Sequence, residues 1–507
     1  MRVSPLQTAL TVVVTALVVF FSGMRTAQAV PSFSRKYQTS CLTCHTVFPT
    51  LNPFGEAFRR NGYRMPSQDG SADSDAIKAA IIPMGQQEYA RMFPKAVYPA
   101  QIMDSVPLSA MVNGGVAVNL PGSDAHDSAG NAFTWDGIAR ELHLFGAGSF
   151  NDSLTYFSQA TFSGNGFDLE TGYLLWNDVV GPNHYLNIWV GRLMAPSLTS
   201  WGVHSSYLAD TNLPAVSIGG LYNPALTFAL GPTSHTDGIE ANGVIAHRLG
   251  YAAGWISSGV AGAGLKTPSA QDVYAHIGAK IGGLSLDGEG GSAPADAMRP
   301  WAETSLTLDA FAYRGLTLFD NGTGANANNP ALPIGQRDVM TAIGGQVRLM
   351  LGSVQLTSGA QTEYHAGPYP GLPGTAPDAT TTPPTPGANG AADTSSARSI
   401  VQYNELSYVV YPWLVPAVRT EFTTLNLTSP NLGALTATSA NLLRVVAGAA
   451  MLVRANVKVV IAATAERVRG APPVGDWSTA GGSRIGVPGK TGTLQVEQIN
   501  ATVAWAF

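Results

Sequence analysis

From residue 107 to the end of the chain, apolar and polar positions alternate in runs of roughly ten residues, the length of a membrane-crossing strand. The clearest run is the last. Ile499, Ala501, Val503, Trp505 and Phe507 alternate with Asn500, Thr502, Ala504 and Ala506. Successive strand side chains point to opposite faces, so one face is apolar and ends in aromatics while the other is small or polar. Leu108 to Leu120 and Ser153 to Phe162 alternate in the same way, and Lys458, Thr464 and Glu466 alternate with Val457, Val459, Ile461, Ala463 and Ala465. Arg454-Ala455-Asn456 can join two such strands as a tight hairpin. A soluble sandwich strand alternates likewise, but a chain seldom ends on an aromatic inside one. Apolar-out, polar-in alternation is the pattern of a strand between lipid and a wet lumen. At about 25 residues per strand and connection, residues 107–507 predict about 16 antiparallel strands, an even number as bacterial barrels require.

Between these runs lie breaks. A Pro/Gly/Ala/Thr tract from Gly367 to Ser396 has almost no charge or aromatic residue and predicts a long flexible loop. The tracts 285–296 and 323–335 also predict loops. Strand-like sequence resumes at Ile400, which disfavours a linker between soluble domains.

The N-terminal part reads differently. Arg2, an apolar run from Leu10 to Phe21 and Ala27-Gln28-Ala29 have the order of a signal peptide over residues 1–29; an uncleaved anchor is the alternative. In residues 30–106, Asn52-Pro53-Phe54-Gly55-Glu56 starts a helix, with Asn52 as cap, Pro53 at its first position and Glu56 in the positive first turn. Phe54 and Phe58 share its face, and Gly62 ends it. A second short helix is predicted from Ser74 to Ile82, stopped by Pro83. A segment this small has a marginal core and is expected to gain stability by docking on or in the C-terminal part.

Composition sharpens the picture. Charged residues are 12% of the chain, and glycine numbers 56. That charge share is about half the usual one. No apolar stretch of about 20 residues follows the leader, so no helix is predicted to cross a bilayer. A net charge of −5 with no basic patch argues against nucleic acid as a partner. The fold class that follows is mainly β: a transmembrane antiparallel β-barrel of about 16 strands in the lipid outer membrane, plugged by a small N-terminal helical segment.

The plug carries the chemistry. Cys41-Leu42-Thr43-Cys44-His45 is a C-x-x-C-H run. It predicts one covalent c-type haem, with thioethers from Cys41 and Cys44 and the proximal iron ligand from His45. These are the only 2 cysteines, so a four-cysteine zinc site is excluded; a disulfide or another metal site is the alternative. For the distal ligand, Met111 is the apolar exception on the lumen parity of the first strand, and a thioether on haem iron raises its potential. Met84 and Met65 are rivals, and a histidine or an open site is the further alternative. Glu141 and His143 share the lumen parity, where they attract a cation, carry protons or are simply solvated. Trp189, Trp201 and Trp413 are expected at the membrane interface, with electron relay as the alternative.

Ser32-Phe33-Ser34-Arg35, the C-x-x-C-H run with Thr46-Val47-Phe48-Pro49-x-Leu51-Asn52-Pro53-Phe54-Gly55-x-x-Phe58, and Gly62-Tyr63 resemble the N-terminal segment of the fused outer-membrane cytochrome–porins of iron-oxidising bacteria. Pro107 to Val112 and the Tyr411 to Pro416 stretch resemble that family's barrel entry and a late porin segment. The resemblance implies a single-haem segment before a barrel, oxidation of extracellular Fe(II), and transfer of electrons to a periplasmic soluble cytochrome or blue-copper protein. Counted as an enzyme, such a protein is an Fe(II):cytochrome c-type oxidoreductase. No iron-binding residue carries over. The alternatives are a conduit for electrons from minerals or electrodes, and a passive porin with a structural haem plug.

Overall fold

The computed structural model describes residues 33–34, 40–64, 108–126, 132–135, 137, 140–150, 153–163, 166–181, 184–194, 207–208, 216–218, 226–228, 235–257, 271–291, 299–318, 337–366, 396–428, 439–471, 477–478, 484–485 and 492–506. The expected leader, the helix expected at 74–82, Met65, Met84, Trp201 and Phe507 lie outside these residues, as do the tracts 323–335 and 367–395.

Sixteen antiparallel strands close into a barrel. They are β1 (Leu108–Asn119), β2 (Phe133–Trp135 and Glu141–Ser149), β3 (Leu154–Ser163), β4 (Gly166–Trp176), β5 (Asn187–Met194) and β6 (His235–Ile245). Next come β7 (Leu249–Ser257), β8 (Gln271–Gly282), β9 (Glu303–Leu318), β10 (Arg337–Gly352) and β11 (Val354–Ala366). The last are β12 (Ser396–Tyr408), β13 (Leu414–Thr428), β14 (Ser439–Arg454), β15 (Val457–Ala471) and β16 (Gly492–Ala506). The two pieces of β2 count as one strand, because both pair along β1: Val118 with Phe133, and Met111 with His143. Closure comes from β16 on β1, with Ala506 opposite Met111 and Gln498 opposite Asn119.

Burial runs opposite to that of a water-soluble protein. Ile277, Ile281, Ile343, Leu351, Leu406 and Val418 are exposed on the outer wall. Glu240, Lys280, Glu303, Gln361, Glu405 and Arg444 are buried on the inner one. Along β8, for example, Asp272, Tyr274, His276 and Lys280 are buried while Val273, Ile277 and Ile281 are exposed. A continuous apolar exterior around a polar interior is stable only with lipid outside, and closure leaves no unpaired strand edge in the hydrocarbon. The protein is an integral outer-membrane β-barrel. No described helix is long and apolar enough to cross a membrane.

The two ends differ. At one end three connections are tight, namely Ser353 between β10 and β11, Ala455–Asn456 between β14 and β15, and Ala246–Arg248 between β6 and β7, while β8–β9 spans 283–302. At the other end, apart from the two-residue link between β3 and β4, they are longer, and pieces of the β1–β2, β5–β6 and β15–β16 connections form a separate five-stranded sheet. Short turns face the periplasm in such barrels and long loops face outward.

On the inner wall, charges are held in pairs. Glu405, Arg419, Glu421, Arg444 and Glu466 alternate in sign across β12 to β15, with Arg419 Nε 2.6 Å from Glu421, and Arg444 3.0 Å from Glu421 and 2.5 Å from Glu466. A buried carboxylate without such a partner would be strongly destabilising.

Candidate haem-attachment site

Residues 40–64 fold as a 3-10 turn (Cys41–Thr43), a two-stranded hairpin (His45–Val47 with Thr50–Leu51) and helix α1 (Pro53–Arg60). The helix matches its sequence signals. Asn52 caps it, accepting a 2.9 Å bond from Gly55 N, and Gly62 follows it with φ +69.

Asn52 does more than cap. Its Nδ2 donates to Leu42 O and Thr43 O, both at 3.0 Å, and its backbone N donates to Cys44 O at 2.9 Å. One buried side chain thus uses every donor and acceptor it has to fasten the cysteine turn to the helix start. The two pieces are in such close contact that a Cβ on Gly55 would lie 2.1 Å from Cys44 O.

The residues fit a c-type haem. Cys41 and Cys44 are free thiols on one turn, both half-buried. Burial, and then the neighbouring Cys41, push the Cys44 thiol up to about 12, so it is held as a neutral thiol. His45 Nδ1 lies 3.2 Å from Pro49 O. A backbone carbonyl on Nδ1–H fixes the tautomer that leaves Nε2 as a lone-pair donor, as metal-ligating histidines require. Burial holds the His45 imidazole down at about 4, against the hydrogen bonds it donates to the Pro49 and Thr50 backbone, so it is neutral at physiological pH.

The segment contacts the inner wall at the short-turn end. Val47 and Phe48 share a buried cluster with Trp301, Val415, Ala450 and Ala504, and Lys458 Nζ lies 5.7 Å above the Phe48 ring. Glu56 is paired through both oxygens with Arg348 of β10, the Nη2–Oε2 bond being 2.8 Å. Burial alone would raise the Glu56 carboxyl; the Arg348 charge and hydrogen bonds outweigh it and hold Glu56 at about 2. Farther along, Asn61 Nδ2 donates to Asp287 O at 2.8 Å, and Arg64 meets Asp178 at 2.7 Å. The Tyr63 ring stacks on Phe157 of β3 at 5.2 Å.

Met111 packs against the buried cluster that also contains Val47 and Phe48. Glu141 and His143 also face inward, 3.5 Å apart, and His143 Nδ1 lies 2.7 Å from Thr161 Oγ1. Phe58 is buried against Phe33 and Tyr63, whereas Phe54 is half-buried.

One expectation is corrected. Trp189 is not at the membrane interface: it is buried in the lumen and stacked on Tyr173 at 5.0 Å. It pairs with Leu175 and Glu240, both inward-facing, so its parity rather than its residue type sets its side. Trp413 is half-exposed and stacked on Tyr411 at the short-turn end, as an interface residue should be. Sequence reasoning did not find Arg348, Asp178 or Asp287. Arg348 alone left a signal, a single cation inside the apolar run Val347-Arg348-Leu349-Met350-Leu351.

No family model matches the chain, and no curated protein does. Among solved structures, the chain is similar to OmpT, an outer membrane protein of Vibrio cholerae, at 11% identity and a TM-score of 0.45 over 80% of this chain and 97% of that one. It is also similar to the outer membrane channel DcaP of Acinetobacter baumannii, at 10% identity and a TM-score of 0.41 over 79% and 96%. A third similar structure is an anion-selective porin from Comamonas acidovorans, at 10% identity and a TM-score of 0.42 over 79% and 98%.

Proposed function

We propose that this barrel carries one covalent haem on Cys41 and Cys44 at its periplasmic mouth and moves single electrons from an extracellular donor, Fe(II), to a periplasmic carrier. The observation that supports this most is His45. Its Nδ1 is engaged by Pro49 O beside two free thiols, on a segment fastened to the inner wall by Glu56 and Arg348. When bound, the haem supplies a one-electron iron couple inside an otherwise insulating layer. The residues do the rest. Cys41 and Cys44 would anchor it, His45 would offer Nε2 to its iron, and Met111 is proposed to supply a thioether, with Met84 and Met65 as rivals. Asn52 and Gly55 keep the cysteine turn tight against α1. No group needs to shuttle a proton, since one electron moves per turnover. The resemblance to cytochrome–porins supports iron as donor. A soluble cytochrome or a blue-copper protein is the proposed acceptor, and minerals or electrodes are alternative donors.

A second reading is a porin-like channel with a structural plug. The barrel itself favours it: a closed cylinder with a polar inner wall needs no redox group to pass solutes. The experiment is to mix oxidised protein with Fe(II) and follow the haem absorption bands. Fast reduction is expected, with a lowered reduction potential in Met111→Ala, because loss of a thioether ligand lowers the potential. Slow or absent reduction by Fe(II) with fast reduction by another donor would remove the iron assignment. An unchanged spectrum and potential in Met111→Ala would clear Met111. Solute flux in liposomes without redox activity would favour the channel.

A further inference from the structure

Beside the docked segment, three connections at the short-turn end bring together a second group of ligand-type side chains. His247 lies in the β6–β7 turn, and Asp287 and Glu289 lie in the β8–β9 connection. One ligand atom from each of these three lies within 4.8 Å of the others. Fourth comes His184 from the β4–β5 connection, its Nε2 3.6 Å from Glu289 Oε1.

The group is built, not incidental. Asp287 is 1% exposed, and its Oδ1 accepts from Ser285 Oγ at 2.6 Å and from Glu289 N at 3.1 Å. Those bonds leave Oδ2 facing His247 Nδ1 at 2.6 Å. The loop that carries it is wound tightly: Gly283, Gly288 and Gly291 all have positive φ, and Ser285 N donates to Gly290 O at 2.8 Å. His184 is buried, and its Nδ1 lies 3.1 Å from Asp178 Oδ1, while Asp178 Oδ1 also accepts from His184 N at 3.0 Å. A carboxylate on one imidazole nitrogen, with the other nitrogen turned to a cluster, is how metal-ligating histidines are oriented.

We infer that His247, Asp287, Glu289 and His184 form a binding site for one divalent cation of the zinc type. Two imidazoles with two carboxylates suit zinc and its first-row neighbours, whereas calcium and magnesium prefer oxygen alone. Zinc–nitrogen and zinc–oxygen distances of about 2.0–2.2 Å put tetrahedral ligands roughly 3.4 Å apart. The His247, Asp287 and Glu289 ligand atoms lie within 4.8 Å of one another, so these three close with side-chain adjustments of about 1 Å, and His184 joins them through its 3.6 Å approach to Glu289. On cation binding the Nδ1 hydrogen of His247 passes to Nε2 of the same neutral ring, so that Nδ1 and Asp287 Oδ2 both turn to the cation and the pair opens from 2.6 Å. The site also lies on the seam with residues 61–64, because Asp287 O holds Asn61 and Asp178 holds Arg64. Cation binding therefore stiffens the joint between the N-terminal segment and the mouth. None of this depends on the haem.

The test is equilibrium dialysis of the full-length, detergent-purified protein against Zn2+ after chelator treatment. His247→Asn, Glu289→Gln and a Cys41→Ser/Cys44→Ser protein are dialysed alongside. Asn tolerates the positive φ of 61 at residue 247, and Gln is isosteric with Glu, so both single variants keep the barrel. One bound zinc per chain is expected, weakened tenfold or more in each single variant and retained without the cysteines. Absence of bound zinc, zinc indifferent to both single substitutions, or zinc lost with the cysteines would each overturn the site.

Discussion

Asn52 and Gly55 carry the geometry of the cysteine turn, and each makes a distinct prediction. Asn52→Ala leaves two carbonyls and one N–H without their partners, and about 1–3 kcal/mol of local stability should be lost. In Gly55→Ala the new methyl meets backbone, Cys44 O, which cannot swing aside as a side-chain end would. A cost of about 1–3 kcal/mol is expected there as well. Both variants should show faster protease cleavage within residues 40–64 and poorer haem loading while the barrel stays folded; unchanged cleavage and loading would refute the assigned roles. Glu56 gives a pH prediction. Its carboxyl falls from 4.5 to about 2 on docking, a depressed value, so the stabilisation is complete above 4.5 and lost as pH falls toward about 2. Protease susceptibility of the segment should rise across that window. Glu56→Gln, which breaks a buried pair worth about 3 kcal/mol, should already be susceptible at neutral pH and flat below it. At this scale the sequence was half legible. Cap, helix start and terminating glycine follow from local rules at Asn52, Pro53 and Gly62. The partner of Glu56 is 292 residues away and is fixed only by barrel closure.

At the scale of elements, alternation was the readable quantity. The runs expected from Leu108 and Ser153 are β1 and β3, the Arg454-Ala455-Asn456 hairpin joins β14 to β15, and the strand count agrees. A period of two survives any tertiary context, because a one-residue slip would turn every apolar side chain into the lumen. Trp189 escaped because a tryptophan suits either an interface or a packed lumen, and only register decides. The lipid face is testable at Ile277, mid-strand in β8 and 51% exposed. Ile277→Arg should cost about 2–4 kcal/mol in equilibrium refolding into lipid vesicles. A neutral result would mean that this face does not meet hydrocarbon. The connection expected at 285–296 is a loop, but residues 285–291 are folded into the mouth with Ser285 and Asp287 buried, which glycine content alone did not reveal.

For the whole molecule, the outward apolar belt and inward paired charges make a cylinder that is stable only in a bilayer, and residues 40–64 contact its inner wall at one end. A single redox centre at the periplasmic mouth, as proposed, would leave the donor to enter from the long-loop side, across a hydrocarbon layer of about 25 Å. The lumen, not the lipid, must therefore be the route by which donor and centre approach each other. The direct measurement uses liposomes that contain the purified protein with its short-turn end inward, an oxidised soluble cytochrome trapped inside and Fe(II) supplied outside. Reduction of the trapped cytochrome is expected with the native chain and should vanish in the Cys41→Ser/Cys44→Ser protein. Equal reduction by both proteins, or none by the haem-loaded native chain, would contradict electron transfer through this barrel.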